Sequence, residues 1–222
     1  MPIYLYLILF TAFFPLALSF DKRVSFVSYW RYFFPAMGVV ALVFLAWDYL
    51  FTSWGIWGFN EEYLLGIYIA NLPLEEVLFF AVVPYACVFI YECLRHYLPK
   101  AYLQPAAPYI SIFLLVALPI IALLHISAFY TSVTFLAAAF FVLLSQFILK
   151  VKWMGWFYLA YFVCLVPFLI VNGILTAMPV VWYNDAHNLG IRLYSIPVED
   201  TIYCLLLLLM NVLVYEALKG RK

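Results

Sequence analysis

Charge is the scarcest property of this sequence. Of 222 residues, 11 are Lys or Arg and 11 are Asp or Glu, while 69% are hydrophobic and 22% aromatic. That leaves too little polar surface to cover a soluble domain, and it suits a body solvated by lipid. No basic patch exists beyond short clusters at the ends of apolar stretches, which excludes nucleic acid as a partner. Histidine is just as thin: His96, His125 and His187 are far apart, so the imidazole clusters of membrane di-iron oxygenases are missing. Cys87, Cys93, Cys164 and Cys204 all sit in apolar runs without CxxC or Cys/His spacing, and they read as small core hydrophobes rather than metal ligands. Neither GxGxxG nor a P-loop occurs, so no built-in flavin, nicotinamide or nucleotide site is expected. No metal and no cofactor are expected at all. Every lysine lies at the end of an apolar stretch, which excludes a retinal Schiff base within the membrane.

Long apolar runs are what the sequence has instead. Seven segments, near 2–20, 31–52, 75–96, 108–126, 130–149, 154–176 and 198–218, meet the ~20 residues a bilayer crossing takes. The first resembles a signal peptide but has no basic leading region and no small-residue cleavage site. Asp21-Lys22-Arg23 follows it as a stop-transfer flank, so it reads as a true span. Lys22, Arg23, Arg31, Arg95, Lys100, Lys150, Lys152, Lys219, Arg221 and Lys222 all fall on one side of a seven-span chain, with Arg192 alone on the other. The positive-inside rule then predicts a multi-pass cell-membrane protein with its N-terminus outside and its C-terminus in the cytoplasm.

The chain also repeats itself. Pro73-Leu74-Glu75-Glu76 recurs 124 residues later as Pro197-Val198-Glu199-Asp200. The same ungapped offset superposes Asn60 on Asn184, Leu65-Gly66-Ile67 on Leu189-Gly190-Ile191, and Tyr91-Glu92 on Tyr215-Glu216. Spans one to three therefore match spans five to seven, and span four is unmatched. Three spans alone would invert the second copy, whereas a fourth restores its orientation. The expectation is an all-α polytopic membrane protein of seven transmembrane helices, built from two parallel three-helix repeats joined by an extra helix. The units are residues 1–98, a connector and linking helix over 99–126, and residues 127–222. Two long outer loops, 53–73 and 177–197, carry Trp54, Trp57, Tyr63, Tyr68, Trp182 and Tyr183, as an interfacial aromatic belt would.

Paired carboxyls at the start of a membrane helix are costly, and their recurrence marks Glu75, Glu76, Glu199 and Asp200 as functional candidates. The competing role is structural, since proline and acid both suit a helix's first turn. Neighbouring residues point about 100° apart on a helix, so one acid of each pair can cap while the other faces the bundle. Asp48 lies as far beyond Arg31 as Glu75 lies before Glu92, roughly 26 Å at 1.5 Å per residue, which sets Asp48 and Glu75 at similar depth. Carboxyls sharing a poorly hydrated site cannot all ionise cheaply, so one of them is expected to hold a proton. The second copy has Asn172 in place of Asp48 and Arg192 in place of Tyr68, and Arg192 is placed to pair with Glu199 or Asp200. Asn60 and Asn184 are candidates for hydrogen bonding across the outer loops or for plain turn roles. Glu92 with Arg95 and Glu216 with Lys219 read as interfacial i,i+3 ion pairs.

Seven spans, tandem repeats and a PxE(E/D) motif opening spans three and seven together resemble the flavin-independent membrane lycopene cyclases. Asn71 to Phe80 is similar to that family's PxEExxFF pattern, with Phe79 and Phe80 as its aromatic pair. The second copy keeps the acids but has Tyr203-Cys204 where the phenylalanines stood. The resemblance covers essentially the whole chain. It implies a lycopene β-cyclase, an intramolecular lyase or isomerase that folds the ψ end groups of lycopene into β rings without redox change. By this resemblance Glu75, Glu76, Glu199, Asp200 and Asp48 are the catalytic candidates. Asn60, Asn184, Asn172, Arg192, Phe79, Phe80 and Tyr203 are the candidates for holding substrate, and the partners are lycopene and membrane lipid. Another carotenoid-modifying enzyme, such as a hydratase that delivers water to the same cation, and a proton-coupled transporter with buried acids are the alternative readings.

Overall fold

The computed structural model describes residues 2–220; Met1, and Arg221 and Lys222 of the basic tail, lie outside the described residues. The chain is mostly helical. In order come α1 (Ile3–Leu18), α2 (Trp30–Ser53), α3 (Leu74–Tyr97), α4 (Ala107–Leu124), α5 (Phe129–Leu143), α6 (Met154–Ala177) and α7 (Glu199–Leu218). Among the described residues, six helices are long and apolar enough to cross a membrane, and α1, with 16 residues, is a shorter apolar helix. The end of α5 widens into a π-helical turn, Leu144–Ile148. Pro15, Pro35, Pro84, Pro119 and Pro167 lie inside helices, which membrane bundles tolerate because neighbouring groups take up the freed carbonyls.

The loops before α3 and α7 are not open coil. Short strands β1 (Trp57–Phe59), β2 (Tyr68–Ile69) and β3 (Leu72–Pro73) precede α3, and β4 (Val181–Tyr183), β5 (Arg192–Leu193) and β6 (Ile196–Pro197) precede α7. Pro73 and Pro197 are therefore strand residues just outside the helices, not the first helical positions expected. β2 pairs with β3 and β5 with β6, each across a tight turn whose first residue, Ala70 or Tyr194, takes a positive φ. β1 pairs antiparallel with β4, setting Gly58 opposite Trp182 and Trp57 opposite Tyr183. Gly58 makes room for this pairing, because a Cβ added to it would stand 2.4 Å from the Trp182 ring, which would have to shift.

Gly58 and Trp182 are equivalent positions of the two copies, and they face each other. The same exchange recurs elsewhere. The Asn60 amide donates to the Val180 carbonyl and the Asn184 amide to the Ile56 carbonyl, both at 2.9 Å. At the far end of the helices, Tyr91 donates to Glu216 at 3.0 Å and Tyr215 to Glu92 at 2.9 Å. Arg95 pairs with Glu216 and Lys219 with Glu92, each at 2.5 Å. These ion pairs correct the expected i,i+3 pairs: α3 and α7 lie against each other, so each base reaches the buried acid of the other helix rather than its own. α2 packs on α7 and α6 on α3, so each copy's second helix lies against the other copy's third. α4, which has no counterpart, lies against α5.

Candidate active site

Each acidic pair is split by the helix turn on which it stands. The first acid of each copy faces its own loop. The Leu65 amide donates to Glu75 Oε1 at 2.5 Å, and the Leu189 amide to Glu199 Oε1 at 2.7 Å. Gly66 and Gly190 follow these amides with φ of 83° and 69°, a backbone region glycine enters without steric cost. That geometry explains why Leu-Gly-Ile repeats with the acids. Thr131 adds a 2.6 Å hydrogen bond to Glu199. Both first acids are fully buried, and the second oxygen of each has no hydrogen-bond partner.

The second acids turn inward to one cavity. Glu76 and Asp200 line it together with Asp48 from α2, so three carboxyls from three helices and both copies converge. Tyr4, from the first turn of α1, donates to Glu76 Oε2 at 2.5 Å. Trp57 Nε1 donates to Asp48 Oδ1 at 2.6 Å, and Asp48 Oδ2 is buried without a partner. Asp200 accepts three hydrogen bonds, from Tyr130 at 2.6 Å, Asn172 at 2.6 Å and Tyr183 at 2.9 Å. Burial and then the neighbouring Asp200 carboxylate push the Tyr183 phenol well above its usual range, so it remains a neutral donor. The cavity volume is about 50 Å³, and Phe79 and Tyr203 complete its aromatic wall. Trp57 stands edge-on to Tyr130 at 5.1 Å between ring centres and to Tyr203 at 6.3 Å.

A second cavity, about 220 Å³ and almost wholly apolar, adjoins the first through Phe79, Phe168 and Asn172, which line both. It runs between α1, α3 and α6 from Phe79 to Ile90, about 16 Å along α3 at 1.5 Å per residue. Phe10 and Phe14 of α1 border it and are exposed at its outer side.

Of the candidates expected to hold substrate, Asn172, Phe79 and Tyr203 line the acidic cavity, whereas Phe80 is buried behind it, 5.4 Å from the Phe79 ring. Asn60 and Asn184 hold turns by accepting from the Glu62 and Ala186 amides, each at 3.1 Å. Asn184 also donates across the loops to the Gly55 carbonyl at 3.3 Å. Arg192 does not reach Glu199 or Asp200; it pairs with Asp185 and lies over the Tyr183 ring, because the β5–β6 hairpin carries it to the outer side of the loop. The Asn188 hydrogen bond, followed by Arg192, holds the Asp185 carboxyl below its usual range. Trp57 and Tyr183, expected in an interfacial belt, instead point inward to the carboxyls, while Trp54, Tyr68 and Trp182 are exposed as such a belt requires. Tyr4 carried no repeat signal, since its equivalent is Ala128; Tyr130 falls on Tyr6 at the repeat offset, a match that could have singled it out. Among the described residues no group of three His, Cys, Asp or Glu side chains is arranged to hold a metal ion.

A family model described as lycopene cyclase matches residues 1–94 and again residues 127–218. No curated protein and no solved structure matches the chain.

Proposed function

The chain belongs to the lycopene cyclase family, and from that premise we propose that it is a lycopene β-cyclase working inside the bilayer. The observation that carries this reading is the convergence of Glu76, Asp200 and Asp48 in one aromatic cavity that continues into an apolar groove. A hydrocarbon dissolved in the membrane needs such a groove to bring its end to an acid.

In this reading Glu76, in its acid form, gives a proton to C2 of the ψ end group and leaves a cation at C1. The C5–C6 π electrons then close the C1–C6 bond and move the cation to C5. Loss of the C6 proton forms the C5=C6 double bond of the β ring. One proton enters and one leaves, so the step is an isomerisation. Three donors suit Asp200 to a carboxylate that faces the cation and takes the C6 proton. Asp48 shares the cavity with Glu76, and carboxyls crowded into one poorly hydrated site cannot all ionise cheaply, so the cluster keeps a proton for donation. The faces of Trp57, Tyr203 and Phe79 offer the electron-rich wall a passing cation requires. Glu75 and Glu199 are positioning residues that hold the two loops over the cavity. Repeating the reaction at the other end carries lycopene through γ-carotene to β-carotene.

The architecture we propose has seven spans, α1 included, with two parallel repeats over 1–98 and 127–222 and a linking unit over 99–126. The two-fold axis follows the membrane normal, the N-terminus lies outside and the C-terminus in the cytoplasm. The reciprocal pairings at both ends of α3 and α7 support a common axis along those helices. The deciding experiment is expression in a lycopene-producing bacterium with chromatography of the extracted pigment. Lycopene should give way to β-carotene. A hydroxylated product would make the protein a hydratase, and unchanged lycopene would refute carotenoid chemistry.

A further inference from the structure

The acidic cavity lies between the two copies, so a symmetric molecule would offer two grooves to it, one on each side. The groove between α1, α3 and α6 is open and apolar. Its counterpart between α5, α7 and α2 differs in both space and chemistry. Trp47 stands where Val171 lines the groove, stacked on Phe44 at 5.8 Å and edge-on to Tyr203 at 5.8 Å. Phe10 and Phe14, exposed on α1, correspond to Thr134 and Ala138, which are fully buried on α5. Three apolar wall residues, Phe10, Cys87 and Val171, become Thr134, Asn211 and Trp47. Thr134 Oγ1, Asn211 Oδ1 and Trp47 Nε1 are each buried without a hydrogen-bond partner. Apolar wall is thus replaced on this side by a large ring and by polar atoms that a hydrocarbon cannot satisfy.

We propose that the protein has a single polyene entrance, the α1–α3–α6 groove, and that Trp47 with its polar neighbours closes the other. This rests on the cyclase reading. A linear polyene then presents one end per visit. Its one-ringed product must leave the groove, turn round in the lipid and return before the second ring forms. The free one-ringed intermediate is thus an obligatory species in the membrane, and acyclic polyene competes with it for the groove.

Two measurements test this on the full chain in lipid nanodiscs. In the first, isotope-labelled lycopene is allowed a short reaction and then chased with excess unlabelled lycopene. Labelled one-ringed product should accumulate during the chase; labelled two-ringed product formed without it would overturn the proposal. In the second, Ala86→Phe fills the open groove and Met210→Trp adds bulk at the equivalent position on the other face, with folded yield measured for both. Ala86→Phe should lower both turnover and bound lycopene by about tenfold or more, and Met210→Trp should leave them within about twofold, a difference of about fivefold or more. Equal losses at the two faces, or the reverse order, would overturn it. If the wild type forms no ring at all, the cyclase reading fails; ring formation with equal sensitivity at both faces sinks the single entrance alone.

Discussion

The two copies contribute equivalent acids to one cavity but surround them differently. Glu76 of the first copy has one hydroxyl donor, Tyr4, and shares its cavity with Asp48. Asp200 of the second has three donors, and two of them replace groups that cannot serve Glu76 in the same way: Asn172 stands for Asp48 and Tyr183 for Phe59. The sequence repeat thus brings two equivalent carboxyls to one cavity, and their differing neighbours give them unlike environments. An isomerisation that takes a proton in and lets one out needs that inequality, because identical carboxyls would have no reason to divide the work.

The largest effect should separate donor from acceptor. Glu76→Gln removes the transferable proton and keeps the shape, so ring formation should fall by about 100- to 10,000-fold with folded yield retained. Asp200→Asn should also impair turnover, while deuterium uptake from D₂O at ring C2 still tracks Glu76. If both amides cyclise at the wild-type rate, the carboxyls are only structural. Tyr183→Phe is the sharper tool, since it gives the second copy the residue found at Phe59. Losing a hydrogen bond to a charged group costs about 1.5–3 kcal/mol, so turnover should drop about tenfold or more. The mirror change, Phe59→Tyr, should cost little, and equal losses would mean that the two environments are equivalent.

The helices were legible because lipid imposes a simple signal: long apolar runs bounded by charge. The seven expected segments coincide with α1–α7 to within a few residues, although α1 is shorter than its apolar run. Glu75, Glu76, Glu199 and Asp200 were legible because they break that signal twice at one offset. What stayed hidden has physical reasons. Strands of two or three residues have no period to read, so the β1–β4 pairing that joins the loops had no signature. Arg95 and Lys219 each have an acid three residues earlier on their own helix, so spacing could not reveal that they reach across. Tyr4 and Tyr130 are single hydroxyls in aromatic-rich stretches, and only the folded bundle brings them to the acids.

The C-terminal ends of α3 and α7 offer the contrasting carboxyls. Glu92 and Glu216 are as buried as the cavity acids, yet each meets a cation and a tyrosine. Arg95→Ala should strand Glu216 and lower the stability of the helix pair by about 3–5 kcal/mol, read as a loss of thermal stability in detergent. The double change Arg95→Ala with Glu216→Gln should recover most of it. Activity per folded molecule should hardly move, in contrast with Glu76→Gln. At the other end, Gly58→Val forces a side chain into the Trp182 ring and should cost about 1–3 kcal/mol. Because β1 and β4 carry Trp57 and Tyr183, this change should lower both stability and turnover.

The smallest effect concerns the loops before α3 and α7, of which the second carries an ion pair between Asp185 and Arg192. Asp185 and Arg192 pin the second loop; the first has Glu61 and Tyr68 at those positions. The Asp185 carboxyl is held below its usual range, by Asn188 first and Arg192 after it. Its contribution is therefore present above the unfolded value and lost as pH falls through the lowered folded value. The side chain is 66% exposed, so solvent screens the pair and its worth is at most about 1 kcal/mol. Amide protection around Asn184–Leu189, taken relative to the intrinsic exchange rate at each pH, should be unchanged from neutral pH down to about 4 and fall below it. Asp185→Asn should show the lower protection at every pH, with no further acid step. Arg192 lies over the Tyr183 ring, so the same loosening should slightly weaken the grip of Tyr183 on Asp200 and leave the first loop untouched. An equal acid step in both loops would show that this ion pair is not what distinguishes them.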